Sequence, residues 1–352
     1  MAGMLWLDEC TEEHAGLIGG KAVGLGSLQR EGLRVPPGFV VSTELYRQAV
    51  AGWGLRDQVA SILATATSVA AIETASARIR RLFEEHRPGR GDLAGQLTAG
   101  YERLGGGEPV PVAVRSSSVG EDSAEASFAG QQDTYLWVRG ADQVARAVVR
   151  CWGSLFTPQA ISYRAHLGIP LEDVAMGVVV QRMVPAAVAG VMITLDPVNG
   201  DRSQVSIEAC YGLGAAVANG EVNPDRFAVD KVTRELRSAV LGQKALAYRF
   251  DSRAGEVRLC DVPAAERAVP CLAEDEIVAL AHLGTRVEES QGCAQDIEWA
   301  MDGRRELFLL QQRPETVWAR KPRRPRVPPG SDVMTRLVDS MMTPLQLAAE
   351  AS

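Results

Sequence analysis

The sequence predicts an α+β protein built as two lobes, and three observations carry that expectation. The chain has 352 residues, more than one typical domain needs. Residues 55–104 are rich in alanine and poor in strand formers, so they read as helix. Beyond Pro185 the pattern changes to short apolar runs separated by turn residues, which read as strands. A boundary near Pro185 gives lobes over residues 1–185 and 186–318, followed by a basic, proline-rich segment over 319–352.

Composition narrows the function classes. A hydrophobic content of 46% with 23% charged residues is ordinary globular material. A formal charge of -7 argues against a broad nucleic-acid surface. No apolar stretch reaches membrane-spanning length, and the first ten residues turn acidic too early for a secretory leader. Neither a nucleic-acid nor a membrane partner is expected, and the expected location is cytoplasmic. The six cysteines lack CxxC spacing, so buried free thiols are expected instead of a zinc site or a disulfide framework.

In chain order, the first informative stretch is IGGKAVGLG at 18–26, a glycine-rich lead into a helix that reaches Arg30. Backbone amides at a helix start, with Lys21 beside them, are able to hold phosphate; an ordinary flexible turn is the alternative. The spacing is not Walker A, because Lys21 precedes most of the glycines. LRVPPGFVV at 33–41 reads as a proline-kinked loop feeding a strand, with Ser42 or Thr43 capping the next helix. A strand over 112–114 then delivers Arg115 into a polar loop, and a strand resumes near Thr134. Arg115 is able to hold a phosphate there, and Gly130 to let the backbone approach a nucleotide closely. A plain solvated loop is the alternative.

Helices are expected over 141–155 and 159–167, with Trp152 and Phe156 in the core. The run over 176–184 reads as a buried strand that ends in a polar residue, Gln181. Its side chain needs a partner, from a bound base or sugar or from neighbouring backbone. Strands follow over 190–194 and 204–209, then the glycine turn YGLG opening a helix, then NPDRF before another strand.

The stretch over 294–316, AQDIEWAMDGRRELFLLQQRPET, reads as a two-stranded ribbon turning at Asp302-Gly303. Side chains two apart share a strand face, which groups Asp296 with Glu298 and Gln311 with Arg313. Pairing brings two carboxylates, an amide oxygen and a guanidinium together. Such oxygens suit Mg2+ shared with substrate phosphates, and the arginine suits a phosphate in transfer. A surface hairpin with a charge-paired edge is the alternative.

Taken together, GGKAVGLGSL, VPPGFVVSTELY, VAVRSSSVGEDSAEASFAGQQDTYL, VVVQRMVPAAVAGVMITLDP, YGLGAAVANGEVNPD and QDIEWAMDG…LLQQRPET occur in this order over residues 14–318. The series resembles the nucleotide-binding domain of phosphoenolpyruvate synthase, pyruvate phosphate dikinase and rifamycin phosphotransferase. The resemblance implies an ATP-grasp fold whose two lobes clasp ATP with Mg2+. It also implies a reaction that splits ATP to AMP while a phosphoryl group passes through a histidine on a separate swivelling domain. By the same resemblance, Lys21 and Arg115 are phosphate ligands, and Gly130 and Thr134 belong to the loop over the phosphates. Gln181 lies at the adenosine. Asp296, Glu298 and Gln311 form the magnesium and phosphate end, with Glu298 and Gln311 on the metal and Arg313 on the transferred group.

The sequence also departs from its relatives. Ala215 stands where many have Glu, and Ala189 where many have Ser; both bear on the substrate subgroup. The family's Thr-Ser-His segment is absent, and the four histidines are His14, His86, His166 and His282. The expected partners are therefore a phosphohistidine domain and an acceptor domain, on the same longer chain or another, with a pyruvate-like or rifamycin-like small acceptor. A stand-alone small-molecule kinase or an ATP-grasp ligase acting directly on its acceptor is the alternative. A regulatory module without turnover fits less well with an intact set of Lys21, Arg115, Glu298, Gln311 and Arg313.

Overall fold

The computed structural model describes residues 3–86, 92–118, 133–166, 168–170 and 174–318. Gly130 and the segment over 319–352 lie outside the described residues. The strands are β1 Met4–Trp6, β2 Gly38–Val41, β3 Val112–Ser118, β4 Thr134–Val138, β5 Met176–Arg182, β6 Ala186–Ile193, β7 Gln204–Tyr211, β8 Asp225–Asp230, β9 Leu236–Val240, β10 Leu246–Asp251, β11 Glu256–Asp261, β12 Gln295–Asp302 and β13 Leu307–Pro314. The helices are α1 Ala15–Ile18, α2 Gly20–Arg30, α3 Thr43–Gly52, α4 Leu55–Leu63, α5 Val69–Glu85, α6 Asp92–Gly105, α7 Ala141–Gly153, α8 Pro158–His166, α9 Ala215–Ala218, α10 Ala264–Arg267 and α11 Glu274–Gln291. The expected mixture of helix and strand is present. Among the described residues no helix is long and apolar enough to cross a membrane.

Two antiparallel sheets dominate, one of five strands in the order β1-β2-β5-β3-β4 and one of six in the order β13-β12-β6-β7-β8-β9. β5 is central to the first because it is apolar on both faces. Val178 and Val180 join a core made with Phe83, Trp152 and Phe156 of the helical layer. Val179, pointing the other way, joins a second core with Leu25 and Leu28 of α2 and Ile297, Trp299 and Leu309 of the six-stranded sheet. Burying each such valine contributes about 1.5–3 kcal/mol. α2 is thus sandwiched between the two sheets, and the carbonyl of Arg34 accepts from the Leu309 N–H at 2.9 Å, covering the outer edge of β13.

Local chemistry sets the element ends. Of the two capping candidates, Ser42 is the N-cap of α3, its hydroxyl accepting from the Leu45 N–H. The glycines of 18–26 do not form a flexible turn: Gly24 and Gly26 lie inside α2. A methyl group on Gly26 would sit 2.4 Å from the Cys10 carbonyl oxygen, so these glycines serve close packing. β3 runs on to Ser118 instead of ending before Arg115, because Ser116 to Ser118 continue the ladder with β5. The hairpin between β12 and β13 does not use Gly303 as its left-handed residue; Arg305 takes that conformation, at φ 62°. Asp302 organises the turn by accepting from the Arg304 and Glu306 N–H groups, each at 2.9 Å. Of the cysteines, Cys10, Cys151, Cys210 and Cys271 are buried free thiols, whereas Cys293 is exposed.

Contacts gather the described residues up to Glu315 into one compact unit.

Candidate functional site

A cleft of about 720 Å3 lies where β3, β4 and β5 face β6, β12 and β13. Lys21, Arg115, Thr134, Gln181, Glu298, Gln311 and Arg313 all line it. Arg115 and Gln311, 196 positions apart in sequence, meet there.

The polar end is built from cross-strand pairs. In the register of β12 with β13, Asp296 stands opposite Arg313 and Glu298 opposite Gln311. The convergence expected from the hairpin therefore divides in two. Arg313 holds Asp296 through Nε and Nη2, at 2.9 and 2.6 Å. Glu298 and Gln311 instead meet Arg115 from the other sheet: its Nη2 donates to Glu298 Oε2 at 2.5 Å and to Gln311 Oε1 at 2.8 Å. Its Nη1 donates to the Leu310 carbonyl at 2.9 Å. That carbonyl is presented by a bulge between Glu298 and Trp299, where the register with β13 slips. One guanidinium thus ties the two sheets together at the cleft.

Burial alone would raise the Glu298 carboxyl, but the charge and hydrogen bond of Arg115, helped by Lys21 and Arg313, outweigh it and hold the group below the ordinary glutamate value. Asp296 behaves oppositely. Its burial outweighs Arg313, Glu298 adds to the effect, and the carboxyl is held above its ordinary value.

Lys21 reaches the same end from the first turn of α2, its ammonium donating to the Ser116 carbonyl at 2.5 Å. Helix α2 begins where Gly19, at φ 77°, turns the chain against β3; a side chain there would meet the Ser117 carbonyl at 2.3 Å. The Ser117 hydroxyl in turn accepts from the Ala22 N–H. This explains the otherwise odd burial of three consecutive serines.

Apolar side chains line the cleft as well, among them Val184, Ala186, Leu213 and Ala300. Val184, Ala189 and Ala300 form a small cluster with Ala186, Phe308 and Leu310. Gln181, buried at the end of β5, donates its amide to the Pro36 carbonyl at 3.2 Å, so neighbouring backbone supplies the partner its position demands.

Among the cleft residues that escape sequence reasoning are Ser116, Asp133, Asn219 and Tyr248. Asp133 directly precedes Thr134 and accepts from Arg80 and from the Tyr135 hydroxyl, both at 2.8 Å. Its neighbour in the motif is the one available signal. Tyr248 lies in β10, in a segment that carries no motif at all.

Residues 15–328 match a protein family described as pyruvate phosphate dikinase, AMP/ATP-binding domain. The chain belongs to that family. Among curated members of the wider group, this AMP/ATP-binding chain is 39% identical over 321 residues to the probable phosphoenolpyruvate synthase of Methanocaldococcus jannaschii, covering 90% of this chain and 27% of that protein. It is 41% identical over 316 residues to the rifampicin phosphotransferase of Streptomyces sviceus, covering 89% of this chain and 36% of that protein. The chain spans less than half the length of these relatives. Among solved structures, D-alanyl-alanine synthetase A from Vibrio cholerae matches over 62% of this chain and 46% of its own, at 12% identity and a TM-score of 0.27, a likeness too slight to bear on the fold.

Proposed function

We propose that this chain is the ATP-binding, phosphoryl-donating part of a dikinase-type phosphotransferase. The observation that carries the reading is the gathering of Lys21, Arg115, Glu298, Gln311 and Arg313 in one cleft that apolar side chains also line. Triphosphate belongs with the charged groups and adenine against the apolar ones, with Gln181 beside the nucleoside and Thr134 beside the phosphates. On this reading the fold is of the ATP-grasp type, with lobes over 1–185 and 186–318 closing on the nucleotide.

The donor set fits Mg2+. Glu298 and Gln311 aim two oxygens at one point, now filled by an Arg115 nitrogen. Among the described residues no cluster of three or more His, Cys, Asp or Glu side chains could hold a metal by itself. A carboxylate and an amide oxygen completed by substrate phosphates is how Mg2+ is commonly held. When bound, the metal neutralises phosphate charge. The protein's share is positioning: Lys21 and Arg115 bind phosphate oxygens, and Arg313 steadies the charge that spreads over the moving phosphoryl group.

The acceptor of that group is a histidine on another domain or chain, which passes it to a pyruvate-like or rifamycin-like molecule. The greater length of the relatives supports such added domains. The test is to incubate the chain with ATP and Mg2+, with and without a separate phosphohistidine domain of a relative, and to resolve the nucleotides formed. AMP and a phosphorylated partner, appearing only when the partner is present, are expected; fast ADP formation by the chain alone would point to a direct kinase.

A further inference from the structure

The β10–β11 hairpin pairs with neither large sheet, yet it forms a wall of the cleft through Tyr248 and Val257. Two anchors hold it. On one side the Tyr248 carbonyl accepts from the Leu213 N–H at 2.9 Å. Gly212, at φ 75°, permits this approach, since a methyl group there would lie 2.3 Å from that same carbonyl oxygen. On the other side Phe250 stacks on Trp137 of β4, with ring centroids 4.7 Å apart and planes 14° from parallel.

Trp137 is held at φ 61°, which is unfavourable for a bulky residue. The cause is a bulge in β4: Val138 pairs with Val112 and Tyr135 with Val114, so two residues of β4 oppose the single Ala113. The bulge sends Leu136 to the cleft and Trp137 to the hairpin. A strained backbone is thus kept at the point where the first sheet grips the hairpin.

Tyr248 itself is fixed through its carbonyl as above, and its hydroxyl lies near enough to the Glu221 carboxylate to be held above its ordinary value. Asn219 also lines the cleft, and its amide donates to Glu221 at 3.3 Å. Backbone hydrogen bonds place this group beside Leu213 and Ala215, which also line the cleft: Leu213 donates to Tyr248, and Asn219 donates to Ala215 at 2.9 Å.

We infer that Tyr248 is a further binding residue for the nucleoside half of the nucleotide, its ring forming a side wall for a planar base, and that the Trp137–Phe250 stack is what holds it in place. Aromatic side chains favour such flat, apolar partners. This inference rests on the reading of the cleft as a nucleotide site. It separates two functions within it: Lys21 and Arg115 recognise phosphate, and the hairpin recognises the base.

Calorimetry with ATP and with inorganic tripolyphosphate tests it. Tyr248→Ala is expected to raise the Kd for ATP about tenfold and to leave the Kd for tripolyphosphate unchanged. Phe250→Ala, outside the cleft lining, should weaken ATP selectively by about threefold, and Tyr248→Phe should fall between wild type and Tyr248→Ala. Unchanged tripolyphosphate binding in each variant also reports an intact fold. Wild-type ATP affinity in Tyr248→Ala, or equal loss for both ligands, would overturn the inference while leaving the cleft assignment standing. Failure of the wild-type chain to bind either ligand would overturn both.

Discussion

Two ion pairs of similar chemistry, one within the six-stranded half of the molecule and one joining it to the five-stranded sheet, serve opposite ends. Lys244 and Asp225 are both fully enclosed, at 0% side-chain exposure each. Further partners come from within: Asp225 also accepts from the Gly242 and Cys271 N–H groups, each at 2.9 Å, and Lys244 also donates to the Gly242 carbonyl. Arg115 and Glu298 are 11% and 29% exposed, and their contacts open onto the cleft. The first pair is closed on itself and holds β8 to the chain that follows. The second leaves room for a further anion or cation to enter. A paired charge therefore points to function by what remains accessible around it, and pairing alone says little.

The comparison is broken most severely at the closed pair. Asp225→Ala leaves an ammonium group buried without its counter-charge and is expected to cost about 3–5 kcal/mol of stability. Urea unfolding measures this; a midpoint equal to wild type would mean that Lys244 escapes to water and that the pair is not closed. Arg115→Ala should show the reverse balance. Its expected loss of ATP affinity is about tenfold to a hundredfold, from a charge-assisted contact of roughly 1.5–3 kcal/mol. Its stability loss should be smaller than that of Asp225→Ala, since water reaches the Glu298 carboxylate left behind. Calorimetry and urea unfolding on the same preparation would expose the opposite ranking, if it holds.

The smallest effect is one of pH, and it sharpens the contrast within the cleft itself. Glu298 is held below its ordinary value, so the stability it contributes is complete above the unfolded-chain glutamate value of about 4.3 and is lost only as pH falls through the lower folded value. Asp296 is held above its ordinary value, so it takes up its proton earlier on acidification, and the strain of its burial is relieved as it does. Each group departs from its own ordinary value in the opposite sense. Carboxyl chemical shifts followed by NMR across the acid range read both groups, and a Glu298 midpoint above the ordinary glutamate value, or an Asp296 midpoint below the ordinary aspartate value, would contradict the geometry.

Much of the cleft is legible in the sequence because its side chains alternate on strands, where a period of two fixes which residues share a face. Asp296 with Glu298, and Gln311 with Arg313, are examples. Less legible is which carboxylate meets which arginine. That choice depends on the bulge beside Glu298 and on Arg115 arriving from another sheet, and neither leaves a mark in the local pattern. The glycines of 18–26 mislead for a related reason: a glycine needed for close packing looks the same as one needed for a turn. Tyr248 is hidden altogether. Its hairpin has exposed, alternating surfaces and no motif, and its place beside the cleft follows from tertiary contacts made by Gly212 and Trp137. Arg305 shows the same limit on a smaller scale, taking the left-handed turn position although Gly303 is two residues away.

The sandwiching of α2 between the two sheets sets a timetable for synthesis. Ser27 on this helix is hydrogen-bonded by Gln291, 264 positions later, and Leu25 and Leu28 pack on residues of β12 and β13 that emerge later still. At about 5–20 residues per second, translation takes on the order of tens of seconds to cover that distance. Throughout this interval the growing chain carries an apolar helix face that lacks its cover from β12 and β13. The first sheet, whose last strand ends at Arg182, is made long before that cover arrives, and a holdase that shields residues near Leu25 and Leu28 would protect the nascent protein at its most vulnerable stage.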